Sequence, residues 1–420
     1  MVAEGYKETE IGIIPIEWDV SELRDIGKVS MCKRIMKNET TDYGKIPFYK
    51  IGTFGKEADA YISEEVYEEY KNKYSFPKKG DILISASGTI GRLVVYNGEP
   101  AYFQDSNIVW IDNQEDKLLN SLLFYIYKTV KWHTDGNTIA RLYNENLRRI
   151  KIPLPPLKEQ EKIADILSTA DEKIDAIASQ IQKAETLKKG LLQKLLSEGI
   201  GHSEFKDSEL GKIPESWEVG KLEKLLENKS ILSHLDGNHG GLYPKQSEFV
   251  ESGTPYLSAN MIKNNNIDFS LAKFLTKERA SKFRKGVAKD KDVLFAHNAT
   301  VGPVTILKTN LDYVILSTTL TYYRCDLEKL NNYYLMNYMK SIYFINQYEK
   351  FMKQSTRNQI PITQQRQLYF IVPPLKEQKQ IADILSTADE KLEVLRAKKE
   401  KYETLKKGLL QKLLSGEVRV

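Results

Sequence analysis

The sequence predicts a mixed α/β protein built from two similar halves, each a globular domain followed by a long helix. The block PPLKEQ-x-x-IADILSTADEK begins at Pro155 and again at Pro373, and both copies continue to the same ending, ETLKKGLLQKLLS. The offset, 373 − 155 = 218 residues, is constant across the block. This period is far longer than the ~20–50 residues of solenoid or propeller repeats. The chain is therefore a duplication of one large unit.

The duplication extends beyond the helical block. An IPxxW segment occurs at Ile14–Trp18 and Ile213–Trp217, and a D[IV]L…T[IV]G element occurs at Asp81–Gly91 and Asp292–Gly302. Between these landmarks the two halves scarcely resemble each other in sequence. We expect two globular domains and two helical regions, with the boundaries 1–152, 153–200, 201–370 and 371–420.

The regions between the landmarks are typical of mixed α/β structure. Short β-branched runs bounded by Gly, Asn and Asp predict strands, and longer periodic stretches predict helices. The predicted strands are Asp81–Ser85, Leu93–Tyr96, Ile108–Ile111, Val293–Phe295, Val304–Leu307 and Leu316–Tyr323, and the predicted helices are Leu118–Val130 and Leu330–Phe351.

Each repeat block carries apolar residues at heptad spacing for more than four heptads, which is typical of a coiled coil. Three lysines, Lys188, Lys399 and Lys406, interrupt this seam. A helix of roughly 34 residues would be about 50 Å long. The residues predicted to form the coiled-coil spacer are Ile163, Leu167, Ile174, Ile177, Ile181, Leu191, Ile381, Leu385, Leu392, Leu395 and Leu409.

Two long helices with one apolar stripe each are expected to pack on each other, since neither can bury its stripe alone. If they run antiparallel, the globular domains lie at opposite ends of a rod and are related by a pseudo-two-fold axis. The alternative is that each helix packs on its own globular domain.

Composition limits the class of protein. A hydrophobic content of 41% with 28% charged residues is typical of folded domains, and no run approaches the ~18–20 apolar residues of a membrane span. The N-terminus lacks the pattern of a signal peptide, so we expect a cytoplasmic protein. The net charge of +5 is compatible with nucleic acid. Cys32 and Cys325 form no CxxC pattern, so neither a disulfide framework nor a zinc site is expected.

Enzyme motifs are missing from the sequence. There is no GxxxxGK[ST] loop, Gly88–Gly91 is too short for GxGxxG, and the double prolines lack the acidic or amide residue of an [DN]PP[FYW] methyltransferase motif. Asp171 and Asp389 begin Asp-Glu-Lys triplets that a solvated helix face explains better than a nuclease site. The segment from His234 to His239 is better explained as a turn than as a metal site. We expect no catalytic residue, no metal and no cofactor on this chain.

Two different domains held apart by a rigid spacer suit an extended partner such as duplex DNA, whose major groove returns to one face every 34–36 Å. Because the domains differ, the predicted DNA site is asymmetric, with two half-sites and an unread gap. The T[IV]G elements, which both halves share, are interpreted as structural turns or phosphate contacts. The candidate DNA-binding residues, taken from polar loops, are Lys33, Arg34, Ser85, Ser87, Thr89, Asn107, Asn137, Arg141, His297, Asn298, Thr300, Arg357, Asn358 and Gln359.

The doubled PPLKEQ-x-x-IADIL block and the repeated IPxxW segment resemble the DNA-specificity (S) subunit of type I restriction–modification systems, over essentially the whole chain. The resemblance implies that each globular domain is a target-recognition domain that reads one half of a bipartite site in double-stranded DNA. It implies that the helices form the spacer and dock two methylation (modification) subunits. Adenine methylation, translocation and cleavage would then belong to methylation and restriction subunits. The alternatives are a coiled-coil scaffold that binds only protein and a stand-alone DNA-modifying enzyme.

Overall fold

The computed structural model describes residues 2–132, 142, 144–263, 265–353 and 358–420. The chain divides into two compact units. The first unit comprises Met1–Ala178 and Ala397–Val420, and the second comprises Ser179–Arg396. Each long helix therefore contributes one part to each unit. No helix in the described ranges is long and apolar enough to cross a membrane.

The first half of the chain contains eleven described strands and ends with a long helix that begins directly after a Pro-Pro pair. Its strands are β1 (Tyr6–Thr9), β2 (Gly12–Pro15), β3 (Asp19–Glu22), β4 (Gly27–Ser30), β5 (Ile46–Tyr49), β6 (Tyr61–Ile62), β7 (Ile82–Ser85), β8 (Leu93–Val95), β9 (Tyr102–Phe103), β10 (Ile108–Asn113) and β11 (Lys151–Leu154). Its helices are α1 (Glu64–Lys73), α2 (Asn120–Thr129), α3 (Asn144–Arg148) and α4 (Leu157–Ser197).

The second half follows the same plan with more short strands, and it also ends with a long helix. Its strands are β12 (Phe205–Ser208), β13 (Gly211–Pro214), β14 (Glu218–Lys221), β15 (Ile231–Asp236), β16 (Phe249–Val250), β17 (Thr254–Leu257), β18 (Ile262–Lys263), β19 (Asn266–Ile267), β20 (Lys273–Leu275), β21 (Val287–Ala288), β22 (Val293–Asn298), β23 (Thr300–Ile306), β24 (Val314–Leu316), β25 (Leu320–Cys325) and β26 (Tyr369–Val372). Its helices are α5 (Leu222–Glu227), α6 (Lys277–Ala280), α7 (Asn332–Tyr338), α8 (Ile342–Lys353), α9 (Ile362–Gln365) and α10 (Leu375–Leu414).

The two globular domains share one sheet topology. An antiparallel four-stranded sheet has the order β4-β10-β7-β8 in the first unit and β15-β25-β22-β23 in the second. Beside it lies a mixed sheet with one parallel pair, β5 with β9 in the first unit and β17 with β24 in the second. The two domains therefore share a fold, although their sequences between the landmarks are dissimilar. The central strands β7, β10, β22 and β25 are buried along almost their whole length, which constrains residue class far more than residue identity. The same strand pairing is therefore compatible with different sequences.

The long helices, with 41 and 40 residues, exceed the predicted length. Within each unit they contact each other in antiparallel order. In the first unit Asp171 of α4 pairs with Lys406 of α10, and in the second unit Lys188 pairs with Asp389 and Glu185 with Arg396. All the predicted spacer residues are buried or half-buried. The predicted helix pairing is confirmed within each unit.

The same helices also complete the cores of the globular domains, so both arrangements considered from the sequence occur together. In the first unit Ile163 and Leu167 of α4 and Leu413 of α10 pack in one cluster with Trp18. In the second unit the corresponding cluster joins the end of α4, the start of α10 and Trp217. Each apolar stripe is thus buried against two kinds of neighbour, the opposite long helix and the globular domain.

The glutamate of each PPLKEQ segment is buried and accepts hydrogen bonds from residues that are distant in the sequence but belong to the same unit. Glu159 Oε2 accepts from Trp18 Nε1 at 2.9 Å and Glu159 Oε1 from Arg419 Nε at 2.6 Å. Glu377 Oε2 accepts from Trp217 Nε1 at 2.9 Å, and His202 Nε2 lies 2.9 Å from Glu377 Oε1. The repeated tryptophan and the repeated glutamate are therefore partners, which accounts for their joint recurrence.

The glutamine that follows each of these glutamates bonds the long helix to the start of a shorter helix, α2 in the first unit and α7 in the second. Gln160 accepts from the backbone N–H of Leu119 at 2.9 Å and donates to the Lys117 carbonyl at 2.8 Å. Gln378 accepts from Asn331 N–H at 2.8 Å and donates to the Lys329 carbonyl. Buried amide side chains that satisfy backbone groups fix the starts of α2 and α7 in the same way.

Candidate nucleic-acid interface

Three loops of the first unit meet beside the end of β7. The backbone N–H of Ala86 donates to the Asn107 carbonyl at 2.7 Å, and Leu142 N–H donates to the Ala86 carbonyl at 2.8 Å. The Ser87 hydroxyl donates to Asn107 Oδ1 at 2.8 Å. Ser87 and Asn107, two of the predicted DNA-binding residues, are thus neighbours on a braced loop surface, and Thr89 lies exposed on the same loop.

Ser85 has a different role from the predicted one. Its side chain is buried, its hydroxyl donates to the Thr89 carbonyl at 2.6 Å, and it accepts from Arg92 N–H at 2.8 Å. These bonds close the turn that contains Gly91, where φ is +80° and a Cβ atom would meet Trp132 at 2.3 Å. The structure does not support base contact by Ser85, because its hydroxyl is already used inside the turn.

The charged candidates of the first unit lie on the loop after β4. Arg34 Nε donates to Asp105 Oδ2 at 2.9 Å while two thirds of the arginine side chain stays exposed. The Lys33 ammonium lies 5.1 Å from the centre of the Tyr74 ring. Both cations are therefore accessible, and Asp105 connects Arg34 to the loop of Asn107.

The second unit repeats this three-loop arrangement with different side chains. His297 N–H donates to the Thr319 carbonyl at 3.0 Å, and Ile360 N–H donates to the His297 carbonyl at 2.8 Å. Asn358 holds Ala299 at both ends, since its carbonyl accepts from Ala299 N–H at 3.0 Å and its Nδ2 donates to the Ala299 carbonyl at 2.7 Å. The predicted residues Asn298, Thr300, Asn358 and Gln359 are brought together here.

His297 is buried beneath that loop surface. The residue is 5% exposed, and Nδ1 lies 3.1 Å from the Ile360 carbonyl oxygen. Burial lowers its pKa, so the ring is neutral near pH 7. Base contact by His297 is not supported, because the ring braces the segment that carries Asn358 and Gln359.

His234 lies in the same buried layer. Its Nε2 is 3.1 Å from Gln365 Oε1, which also accepts from the Tyr323 hydroxyl at 2.8 Å. Burial lowers the His234 pKa to about 3. Within the described ranges, no group of histidine, cysteine, aspartate and glutamate side chains is arranged to hold a metal ion.

Asn137, Arg141 and Arg357 lie outside the described residues. Two residues that the sequence analysis missed, Thr318 and Thr319, belong to the loop before β25, and Thr319 Oγ1 accepts from Ala259 N–H at 2.9 Å. The equivalent loop of the first unit contains Asn107, which was a predicted DNA-binding residue. An alignment of β10 with β25, the strands that follow these loops, would have identified the two threonines as its counterparts.

Hydroxyl and amide side chains on rigid loops, with lysine and arginine at the margin, have the chemistry of a DNA-reading surface. Amide and hydroxyl groups bond base edges, whereas cations bond phosphates. Both units present hydroxyl and amide side chains at this place in the fold, and in the first unit Lys33 and Arg34 lie at the margin. When the two loops are aligned at Asp81 and Asp292, Ser87 corresponds to Asn298. The side chains at this equivalent position therefore differ.

A family model described as "Type I restriction modification DNA specificity domain" matches this chain twice, over residues 15–186 and 214–404. The chain belongs to this family. It is a DNA-specificity subunit of a type I restriction–modification system, and its two matched segments are the two DNA-recognition halves.

Individual relatives agree with this assignment. A putative type I restriction enzyme MjaX specificity subunit from Methanocaldococcus jannaschii is 31% identical over 99% of this chain and 97% of its own length. A putative specificity subunit, S.HindORF215P, from Haemophilus influenzae is 57% identical over 43% of this chain, and that match spans 47% of the relative.

Solved structures show the same fold. The S subunit of a type I system from M. genitalium superposes with a TM-score of 0.60 at 16% identity and covers 94% of this chain and 96% of its own. A chain from a study of complex assembly and conformational transition of a type I system gives 0.55 at 14% identity, with 96% and 99% covered. The specificity-subunit fold thus persists at low sequence identity.

Proposed function

We propose that each globular domain of this specificity subunit reads one half of a bipartite, gapped DNA site through its three-loop surface. The observation that carries this proposal is the repetition of one braced loop framework with different exposed side chains. A fixed framework keeps the reading geometry, and exchange of side chains such as Ser87 and Asn298 changes the bases that are read. The unequal side chains predict two different half-sites.

The chain would select the site while other subunits carry out the chemistry. Two methylation subunits would dock on the long helices and methylate adenine, and restriction subunits would translocate and cleave DNA. The relatives are named specificity subunits, which supports a non-catalytic role. The function requires no cofactor on this chain.

The test is to sequence the methylated motif in cells that carry the system with loop variants of this chain. We expect Ser87→Ala with Thr89→Ala to relax one half-site, and Asn298→Ala with Thr300→Ala to relax the other, since one lost base contact costs about 1–3 kcal/mol of discrimination. The exposed Lys183→Met is the control and should leave the motif unchanged.

Two results would contradict the proposal. One is a methylated motif that persists after deletion of the gene for this chain. The other is a pair of loop variants that alters both half-sites equally, because independent reading by two domains requires separate effects.

A further inference from the structure

Two adjacent cations of the second unit, Arg284 and Lys285, are exposed in the segment before β21. In the described ranges neither of them forms a salt bridge, whereas the preceding Lys282 pairs with Glu278 at 3.3 Å. Neighbouring like charges without a counter-charge repel each other, and a bound anion relieves that repulsion. This segment is therefore a candidate anion site, and the groups around it indicate which anion it binds.

The segment with the two cations adjoins the recognition loops of the second unit. The carbonyl of Gly286, the next residue, accepts from Leu316 N–H at 2.7 Å, directly before the loop that carries Thr318. The Leu316 carbonyl in turn lies 2.7 Å from His239 Nε2. The Thr318 carbonyl accepts from Asn298 Nδ2 at 3.4 Å. Leu316 and the loop after it therefore contact both a candidate base-reading residue and the segment that carries the cations.

A cleft lies between the two cations and the loop that follows β15. Its volume is about 340 Å³, and Asn238 and Gly240 line it together with Arg284 and Lys285. Asn238 is exposed, and its Oδ1 accepts from Gly240 N–H at 3.2 Å, while its Nδ2 has no acceptor in the described part of the chain. No carboxylate lines the cleft. Guanidinium, ammonium and amide donors with a net positive charge suit an oxyanion such as a phosphate group.

The segment that carries these cations has a counterpart in the first unit. The offset that aligns Asp81 with Asp292 is 292 − 81 = 211 residues, and it places Tyr74 at the position of Lys285. In both halves this aspartate accepts at 2.7 Å from the backbone N–H three residues before it. The alignment therefore holds in the structure as well as in the sequence.

The other side of the cleft, the loop after β15, corresponds to the loop after β4. Strand register shows this, because Ser30 of β4 and Leu235 of β15 each pair with the third residue of the next strand in the sheet, β10 or β25. The offset is here 235 − 30 = 205 residues. It gives two corresponding pairs, Lys33 with Asn238 and Arg34 with His239.

Each unit thus has two adjacent cations at this place, but on different segments. In the first unit Lys33 and Arg34 carry the charge, and Lys33 Nζ lies 5.1 Å from the centre of the Tyr74 ring on the neighbouring segment. In the second unit Lys285 replaces the tyrosine, and His239 replaces the arginine. Burial lowers the pKa of His239, so this ring is neutral near pH 7. The positive charge is common to both units, whereas the side chains that carry it are not.

We propose that Arg284, Lys285 and Asn238 bind a phosphate group of the DNA backbone beside the half-site that the second domain reads. Lys33 and Arg34 bind the corresponding phosphate in the first domain. A phosphate suits this place better than a base edge, because the charge is shared by the two units while the side chains of the reading loops differ. This inference rests on the proposed function, since it names the DNA group that holds each recognition surface in position.

The test is the affinity of the full chain, assembled with methylation subunits, for a duplex with the methylated motif and for a duplex without it. Fluorescence anisotropy at several salt concentrations measures both affinities. We expect Arg284→Gln with Lys285→Gln to weaken binding of both duplexes by the same factor, roughly tenfold at low salt. The slope of log K against log salt should become less steep by about 0.9, the value for one neutralised phosphate. The methylated motif should stay unchanged, because a phosphate contact carries no sequence information.

Two exposed lysines at the other end of the same sheet provide a matched control. Lys229 precedes β15 and Lys308 follows β23, whereas the recognition loops follow β15 and precede β23. Lys229→Gln with Lys308→Gln removes the same charge and should change the affinity less than about twofold, since salt screens distant charges. The charge-preserving variant Arg284→Lys with Lys285→Arg should retain the wild-type affinity and slope.

An affinity and a salt slope that stay unchanged in the Arg284→Gln, Lys285→Gln variant would overturn this inference and leave the proposed function intact. A changed methylated motif, or a changed ratio of the affinities for the two duplexes, would also overturn it, because the cations would then contact bases. Failure of the wild-type complex to prefer the duplex with the motif would instead contradict the proposed function.

Discussion

At the scale of single residues, the equivalent loops after β7 and within β22–β23 carry different residues at one left-handed backbone position. Gly88 has φ +65° and Ala299, at the equivalent place, has φ +63°. The left-handed region costs a residue with a Cβ about 1–2 kcal/mol, whereas glycine adopts it freely. Two hydrogen bonds with Asn358, one donated and one accepted by the Ala299 backbone, hold Ala299 in this conformation. The second loop is therefore strained where the first is not.

We expect Ala299→Gly to raise the free energy of unfolding by about 0.5–1 kcal/mol, because relief of strain exceeds the added chain entropy of glycine. Gly88→Ala should lower it by about 1 kcal/mol, since a Cβ there meets only Ile51 at 3.8 Å and the cost is conformational. Urea unfolding of both variants measures these changes. If both substitutions changed the free energy of unfolding in the same direction and by the same amount, the assignment of strain to Ala299 would be contradicted.

At the scale of elements, ion pairs set the alignment of the long helices within each unit. Lys188 and Lys406 were expected only to interrupt the apolar seam, but each pairs with an aspartate of the opposite helix. Polar residues at heptad positions specify register because a shifted alignment leaves them unpaired. The two lysines that interrupt the apolar seam therefore help to fix the alignment of the two helices.

The two members of the Asp171–Lys406 pair should differ in importance, because Asp171 Oδ2 also lies 3.6 Å from Nζ of Lys128 on α2. Asp171→Asn leaves two half-buried ammonium groups without a carboxylate and should cost about 2 kcal/mol, whereas Lys406→Met leaves Asp171 with Lys128 and should cost less than about 1 kcal/mol. The double variant should cost less than the sum. A double-mutant cycle by urea unfolding measures this coupling, and Glu69→Gln, in an exposed pair, is the control. Equal costs would indicate that Lys128 does not compensate Asp171.

At the scale of the whole molecule, the two units share a topology but differ in their buried histidines. His234, His239 and His297 all lie buried in the second unit, and burial lowers the pKa of each. The first unit contains one histidine in its sequence, His133, which lies outside the described residues. The units should therefore respond differently to acid.

We expect acidification from pH 7 to 5.5 to destabilise the second unit more than the first. The His234 pKa is about 3 in the folded chain and about 6.5 when unfolded, so the unfolded state binds the extra proton and stability falls as pH drops below about 6.5. The loss at pH 5.5 is about 1.4 kcal/mol for this histidine. Pulse proteolysis in urea, resolved by peptide mass, measures each unit, and His234→Phe should flatten the response. Equal losses in both units would contradict this prediction.

The sequence by itself determined the duplication, the family, the heptad stripe and several loop residues, because periodicity and a repeated block are local patterns. Only the tertiary structure showed that the dissimilar middles share one sheet order, that Ser85 and His297 are buried, and that Glu159 and Glu377 accept from the repeated tryptophans. It also brought Lys128 of α2 to Asp171 of α4. These features depend on pairs of residues distant in the chain, and a single sequence does not specify which distant groups meet until packing brings them together.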